Sequence, residues 1–365
     1  MDKNDRISLY SRRDFGKIAL ASLPAAGLLG SPVAAFGLNA QARPNSVFGG
    51  VTIGIIGNLG VAPAGDLPAV IASLVAANIS AVEIGSGGVE TFAGAPAAPG
   101  GGGGRGRATA PAGGAVAPAA PARGTAGDAA TPAAPRGGGG GGRAAQTPEQ
   151  QAAAAAQAAV MKQWRMTAPM DKFREFRKLY NDAGIRIYAF RMTLTEDLSD
   201  AEYDYAFNAA KALGATSVSM ELPTSAAVTK RIGDFAAKHQ LMTGYHTHLQ
   251  ATPTIFDESI AQSRYNGIQL DIGHYVAATS QSPVPLIARH HARISSMHLK
   301  DRKVAGGPNM PWGQGDTPIK EVLQLMKKEK YTWPAFIELE YPVPDGSTRA
   351  AEIGKCLQYC KEALA

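Results

Sequence analysis

Acidic residues and histidines follow several short apolar stretches of this sequence, in places where a divalent cation would find ligands. Four of the seven histidines lie there. The full set is Glu83, Glu221, His246, His248, Asp271, His274, His298, Lys300, Asp301, Glu338 and Glu340. A single acid in such a place is usually a helix cap or an ion-pair partner, but independent caps would not recur after one stretch after another. Burying carboxylates and imidazoles is costly unless they are compensated, and one cation compensates several at once. The pattern therefore predicts a metal centre.

The predicted metal ligands come from four different stretches and are Glu221, Asp271, His298 and Glu338. Three carboxylates and one imidazole suit Mn²⁺, Mg²⁺, Co²⁺ or Zn²⁺, and the sequence does not choose among these ions. Glu340 lies two residues beyond Glu338, so strand alternation puts both side chains on the same face. We predict that Glu338 lies deeper and is the ligand, with Glu340 as the alternative.

Regularly alternating elements are predicted to position these residues. Short apolar, β-branched runs predict strands, and amphipathic stretches predict helices between and after them. The predicted strands are 51–57, 81–84, 186–191, 217–221, 242–246, 267–271, 293–299 and 335–339. The predicted helices are 67–77, 170–183, 200–213, 226–239, 255–263, 283–290, 319–328 and 349–364. No tight hairpin joins consecutive strands, which favours repeated βα units over a sandwich.

The count of eight strands and eight helices predicts a (β/α)8 TIM barrel, formed by residues 43–365 as a single domain with one long insertion. A doubly wound open sheet is the competing architecture, but residues 56–60 lack the third glycine and the spacing of a phosphate-binding fingerprint. In a barrel the active site is assembled at the carboxyl ends of the strands, where the acids and histidines are predicted to lie.

The amino-terminal segment 1–42 has the order of a twin-arginine (Tat) signal peptide. Arg12 and Arg13 precede a short apolar run at 18–29, and small residues surround Ala40 and Ala42. The apolar run contains Pro24 and is shorter than the roughly 20 residues that span a membrane, so no permanent anchor is expected. The sequence predicts passage through the Tat translocon and a periplasmic or secreted location.

A second atypical segment, 93–147, consists almost entirely of Gly, Ala, Pro and scattered Arg, and it follows the second predicted strand. Such a composition cannot bury enough apolar surface to offset the entropy of ordering, so we expect a disordered spacer. The leader and this insertion together carry the net charge of +6, which leaves the barrel close to neutral. A neutral barrel argues against a nucleic-acid partner. Cys356 and Cys360, four residues apart on the last predicted helix, support neither a disulfide framework nor a zinc knuckle.

Five short motifs resemble those of the sugar phosphate isomerase/epimerase group of xylose isomerase-like TIM barrels. They are 245–248 (YHTH), 270–274 (LDIGH), 297–302 (MHLKDR), 313–316 (GQGD) and 336–340 (FIELE). The first resembles a paired-histidine motif, with Thr247 where Asn is usual. The resemblance implies the same four metal ligands that the strand ends predict, and it implies that His274 contacts the substrate. The insertion after Glu83 departs from the short loop usual in the family.

This resemblance implies a divalent-metal-dependent sugar isomerase or epimerase that removes a proton next to a carbonyl through a metal-stabilised enediolate. Either Glu221 or Glu338 is predicted to act as the general base and the other to return the proton, since two glutamates are expected on opposite sides of one metal. The predicted substrate-binding residues are His246, His248, His274, Lys300, Asp301 and Glu83. The substrate is expected to be a small sugar or a sugar derivative.

Two other functions fit the same residues. A 3-keto-glycoside could lose its C2 proton and then eliminate the C1 substituent, which would make the protein a lyase. Export favours free sugars or oxidised glycosides over phosphorylated sugars, which are chiefly cytoplasmic. The barrel could instead be a non-catalytic sugar-binding protein, which would need no metal. The sequence leaves open which sugar is bound, which metal is used and whether the protein forms a homo-oligomer.

Overall fold

The computed structural model describes residues 43–57, 60, 65–97 and 147–365. The predicted signal peptide 1–42 lies outside the described residues, and so does most of the predicted insertion, 98–146. Both therefore stay predictions as far as their structure is concerned. The insertion does follow the second strand of the barrel, after one short helix.

Eight parallel strands form a closed barrel in the described part of the chain, as the sequence predicts. They are β2 (Val51–Ile56), β3 (Ala81–Gly85), β4 (Arg186–Arg191), β5 (Ser217–Glu221), β6 (Met242–His246), β7 (Asn266–Asp271), β8 (Ile294–Leu299) and β11 (Ala335–Ile337). Each pairs with its neighbours in chain order, and the pairing of β2 with both β3 and β11 closes the ring. Because all eight strands are parallel, their carboxyl ends meet at one face of the barrel.

Three short strands stand outside the barrel ring. The strand β1 (Val47–Phe48) pairs with β2 in the antiparallel sense. The strands β9 (Asp301–Arg302) and β10 (Asn309–Met310) form a small antiparallel ribbon that follows β8 at the carboxyl-end face.

The helices surround the barrel, and those predicted from the sequence are all found within two residues of their predicted ends. Their bounds are α1 (Leu67–Ala76), α4 (Met170–Asp182), α5 (Asp200–Leu213), α6 (Ala226–His239), α7 (Asp257–Gln262), α9 (Val284–His290), α10 (Ile319–Glu329) and α11 (Arg349–Ala363). Three further helices were not predicted, namely α2 (Ser86–Phe92), α3 (Pro148–Met166) and α8 (Ile272–Thr279). A single 3₁₀ turn covers His291–Arg293.

Apolar packing between helices and strands holds the barrel together. In α4 the buried residues Phe173, Phe176 and Tyr180 follow one another at spacings of three and four, which is one face of a helix. Burying a side chain such as Phe173 stabilises the fold by about 2 kcal/mol. In α10 the residues Val322 and Met326 form a similar buried stripe. The two cysteines are free and buried in α11.

The interior of the barrel is polar where bulky apolar residues are usual. Buried Glu83, Ser219, Gln269 and Ser296 lie there, on β3, β5, β7 and β8, and are joined by hydrogen bonds. This layer lies next to the charged residues at the carboxyl ends of the strands, since Glu83 also contacts His298.

Candidate metal centre

Four side chains at the carboxyl ends of neighbouring strands converge on one point. His246, Asp271, His298 and Glu338 each offer one ligand atom, and these atoms all lie within 4.8 Å of one another. Strand register explains the convergence. Asp271 on β7 is aligned with His298 on β8. Ile337 on β11 is aligned with Leu299 on β8, and Glu338 is the next residue of the chain. We call these four residues the cation cluster.

Two atoms of the cation cluster are buried without a hydrogen-bond partner among the described residues. They are Nδ1 of His298 and Oε2 of Glu338. The two atoms lie 3.1 Å apart, a charge contact that lacks the direction of a hydrogen bond. Buried polar atoms left in this way are rare and call for an ion or a ligand. A cation at about 2.1 Å from each ligand places ligand pairs up to about 4.2 Å apart, so the cluster needs to contract only slightly to hold one.

The charges around His298 are strong enough to move its titration. Burial by itself lowers the pKa of His298, but the carboxylates of Glu83 and Glu338 outweigh it and raise that pKa to about 10. Burial also raises the pKa of Glu338, yet His298 and Lys300 hold it well below its usual range.

Lys300 is a second buried cation beside the cluster. Its Nζ lies 3.0 Å from Asp271, 2.9 Å from Glu338 and 2.8 Å from Glu340. These carboxylates raise the pKa of Lys300 despite its burial, which acts in the opposite direction. Glu338 and Glu340 both have side chains that are 19% exposed, so Glu338 is not the more deeply buried of the two, but it is the one that reaches His298.

Glu221 lies beside the cation cluster, on the solvent side. Its carboxylate is 3.2 Å from Nδ1 of His246, 3.3 Å from His248 and 3.1 Å from Arg191. Burial raises the pKa of Glu221, but hydrogen bonding and charge from His246 and His248 lower it overall. In this geometry His246 occupies the place among the four converging residues that the sequence assigned to Glu221, and the ligand role of Glu221 stays a prediction.

The other two predicted substrate-binding histidines line the mouth above the cluster. Ligand atoms of His246, His248 and His274 also lie within 4.8 Å of one another. The ring nitrogens of His274 face Nζ of Lys300 at 2.9 Å and the guanidinium of Arg302 at 2.7 Å. Burial and the nearby cations lower the pKa of His274 to about 4, against the pull of Asp271, so the ring is neutral at neutral pH. His248 is the most open of the group, with 45% of its side chain exposed.

Glu83 and Asp301, also predicted to contact substrate, are both buried away from the mouth. Asp301 accepts hydrogen bonds from the backbone N–H groups of Gly313, Gly315 and Thr317. A Cβ at Gly315 would overlap the Asp301 carboxylate, so this close approach requires glycine. The predicted motifs 297–302 and 313–316 therefore touch each other, and Asp301 fixes the loop. Glu83 is fully buried below the cluster.

Sequence reasoning missed several residues that the fold brings to the site. Arg191 ends β4 at the same face as Glu221. It would have been found if basic residues at the strand ends had been considered together with the acids and histidines. Arg302 follows Asp301 and donates to His274. Gln269 lies two residues before Asp271, so alternation places it on the same face, one layer deeper.

The comparisons with known proteins agree with the fold. The profile of the family described as "Xylose isomerase-like TIM barrel" matches residues 150–362. A xylose isomerase domain protein from Planctomyces limnophilus is 14% identical, with a TM-score of 0.50, over 86% of this chain and 96% of that one. The 3-keto-D-glucoside 4-epimerase from E. coli is 9% identical, also with a TM-score of 0.50, over 86% of this chain and 99% of that one. No curated protein matches the sequence.

Among the described helices, none combines the length and the apolar character needed to cross a membrane.

Proposed function

The chain belongs to the xylose isomerase-like TIM barrel family, and on that premise we propose that it is a divalent-metal-dependent enzyme that isomerises or epimerises a sugar or sugar derivative. The observation that carries this proposal is the convergence of His246, Asp271, His298 and Glu338 within 4.8 Å. Nδ1 of His298 supports it further, because this buried atom has no hydrogen-bond partner among the described residues and its lone pair could bind a cation.

The donor set narrows the choice of metal. Two imidazoles and two carboxylates suit Mn²⁺, Co²⁺ or Zn²⁺ better than Mg²⁺, which prefers oxygen ligands and keeps several waters. A bound cation of this kind would supply Lewis-acid polarisation of a substrate carbonyl or of its neighbouring hydroxyl.

The chain's own residues would carry the proton transfer. Glu221 is ionised at neutral pH, since its pKa is lowered, and its side chain is 36% exposed at the mouth. It can therefore take a proton from a carbon next to a substrate carbonyl, as general base. Glu338 is the proposed partner on the other side: it is ionised at rest, so it would return a proton only after taking one from the ammonium of Lys300, which lies 2.9 Å away. His248, His274 and Lys300 orient hydroxyl groups.

The charges of the described site favour an uncharged sugar. Lys300 is already paired with three carboxylates, and Arg191 is paired with Glu221. Binding a phosphate group to either residue would weaken these ion pairs, which costs electrostatic free energy. This agrees with the proposal that residues 1–42 direct the protein through the Tat translocon to the periplasm or the outside, where free sugars and oxidised glycosides are the expected substrates. A nucleic-acid partner is not proposed.

The deciding experiment is a substrate screen of the protein loaded with Mn²⁺, Co²⁺ or Zn²⁺, in D₂O, against free ketoses, aldoses and 3-keto-glycosides. We expect NMR to show deuterium entering a carbon next to the substrate carbonyl, with the mass of the substrate otherwise conserved. Release of an aglycone would instead identify the lyase. Metal binding should also raise the free energy of unfolding, by about 2.7 kcal/mol at 100 times Kd.

Two outcomes would contradict the proposal. If chelation with EDTA changes neither the melting temperature nor the metal content of the purified protein, there is no metal centre. If metal-loaded protein binds sugars but exchanges no proton, the protein is a non-catalytic sugar-binding barrel.

A further inference from the structure

The polar layer inside the barrel is connected directly to the cation cluster. Gln269 donates to Oε2 of Glu83 at 2.6 Å and to the Ser296 hydroxyl at 2.9 Å. The Ser219 hydroxyl donates to Oε1 of Glu83 at 3.1 Å. Glu83 Oε2 also lies 3.0 Å from Nε2 of His298. Residues from three other strands thus meet at the carboxylate of Glu83, directly below the proposed metal.

Glu83 cannot serve as a substrate ligand in this arrangement. It is 0% exposed, and both of its oxygens are occupied by partners on other strands. A carboxylate buried to this degree is retained only where hydrogen bonds and opposite charge compensate its loss of water. Ser219 and Gln269 donate to its two oxygens, and the ring of His298 is the remaining group within hydrogen-bond distance.

The other ring nitrogen of His298 points the opposite way. Nδ1 lies 3.1 Å from Glu338 and has no well-directed hydrogen-bond partner among the described residues. A metal-binding histidine has one nitrogen for the metal and one N–H to donate, and the acceptor of that N–H decides which nitrogen is which. Nε2 of His298 faces an acceptor, the carboxylate of Glu83, and Nδ1 faces the cation cluster.

We propose that Glu83 is a positioning residue for the metal site: it accepts the Nε2–H of His298 and so presents Nδ1 to a divalent cation shared with His246, Asp271 and Glu338. This inference rests on the proposed function, since it requires a cation in that cluster. Ser219 and Gln269 hold the carboxylate of Glu83 so that it cannot turn away from His298. The role assigned to Glu83 is therefore to set ring orientation and tautomer, without touching the substrate.

The test compares Glu83→Gln with Glu90→Gln. Glu90 is a matched control because it is also a buried glutamate, but it lies outside the barrel and binds Arg165 and Tyr205. We expect Glu83→Gln to weaken Mn²⁺ binding about 10- to 100-fold, measured by the EPR signal of free Mn²⁺. Glu90→Gln should bind Mn²⁺ within about twofold of wild type, because its partners do not reach the cluster.

A second measurement reports the tautomer itself and uses the wild-type protein. Long-range ¹H–¹⁵N correlation spectra of the Zn²⁺-loaded protein should show the ring of His298 protonated at Nε2 and metal-bound at Nδ1. The His298 signals are assigned by their absence in His298→Asn. A His298 ring protonated at Nδ1 would overturn the proposal, and this readout stays available if Glu83→Gln does not fold.

The two proposals fail in different ways. If wild-type protein binds none of Mn²⁺, Co²⁺ and Zn²⁺, the metal-dependent function is wrong and the role of Glu83 is wrong with it. If wild type binds Mn²⁺ and folded Glu83→Gln binds it equally well, only the positioning role is wrong. An equal loss of affinity in Glu90→Gln would also overturn it, because the effect would then be general to buried glutamates.

Discussion

Two clusters of ionisable residues in the described part of this protein, one outside the barrel and one at its mouth, differ in how their charges are compensated. On the outside of the barrel Glu90 of α2 accepts from Arg165 of α3 and from Tyr205 of α5, each at 2.9 Å. Glu202 accepts from the backbone and the hydroxyl of Ser199. We call Glu90, Arg165, Glu202 and Tyr205 the outer network. Its carboxylates are compensated by protein groups alone.

The cation cluster differs because two of its buried atoms, His298 Nδ1 and Glu338 Oε2, lack a directed partner among the described residues. Buried charge by itself therefore does not identify a functional site, since structural ion pairs bury charge as well. What distinguishes the cluster is that ligand atoms of four residues, from the carboxyl ends of four neighbouring strands, all lie within 4.8 Å of one another. The outer network shows what the same residue types look like when they only join helices.

The largest expected difference between the cation cluster and the outer network is in catalysis. His298→Asn and Glu338→Gln should each lower kcat/KM about 1000-fold, or about 4 kcal/mol, because each removes a ligand of the proposed metal. Glu90→Gln should keep kcat/KM within about twofold, since the outer network does not touch the site. The measurement is the proton-exchange assay in D₂O. Similar losses in all three variants would show that the two regions are not functionally distinct.

A somewhat smaller effect is expected on the free energy of unfolding, for variants of the outer network. Glu90→Ala should lower the free energy of unfolding by about 3 kcal/mol, because it leaves Arg165 and Tyr205 without their shared partner. Tyr205→Phe is the milder control and should cost about 1 kcal/mol, the value of one hydrogen bond. Urea denaturation measures both. A change in Mn²⁺ affinity in Glu90→Ala would link the outer network to the metal centre and break the comparison.

The smallest effect is expected where a charge pair is exposed. Arg191 and Glu221 form an ion pair whose side chains are 43% and 36% exposed. Arg191→Gln should therefore change the free energy of unfolding by less than about 1 kcal/mol. Because the same pair tethers Glu221, the proposed general base, kcat should fall more than KM rises in steady-state assays. A stability loss as large as that of Glu90→Ala would show that this exposed pair behaves like a buried one.

The sequence was sufficient for the barrel but not for all of its helices. The eight strands and eight helices predicted from periodicity are present. The helix α3 was missed because none of its residues is buried, so it has no apolar stripe; a Thr147 capping box begins it. The helix α2 contains Gly87 and Gly88 next to each other, which lowers helix propensity. The helix α8 follows β7 without a loop, capped by Asp271.

The candidate site was also predicted only in part, because local periodicity again gives only part of the information. Alternation along a strand predicts which face a residue is on, so the acids and histidines at the carboxyl ends could be named from the sequence. It does not predict height along the barrel axis or which neighbour a side chain meets. The sequence assigned His246 to the substrate and Glu221 to the metal. In the structure His246 joins Asp271, His298 and Glu338, and the ligand role of Glu221 stays a prediction.

The sequence by itself determined the strand order, the closed barrel and the set of titratable residues at one face, because these follow from local periodicity and from the parallel direction of every strand. Only the tertiary structure decided which of those residues share one point. Glu83 and His298 are 215 residues apart in the chain, and they meet because closure of the ring through β2 and β11 brings β3 and β8 together across the barrel interior. Such a contact has no local pattern, since it depends on all eight strands at once.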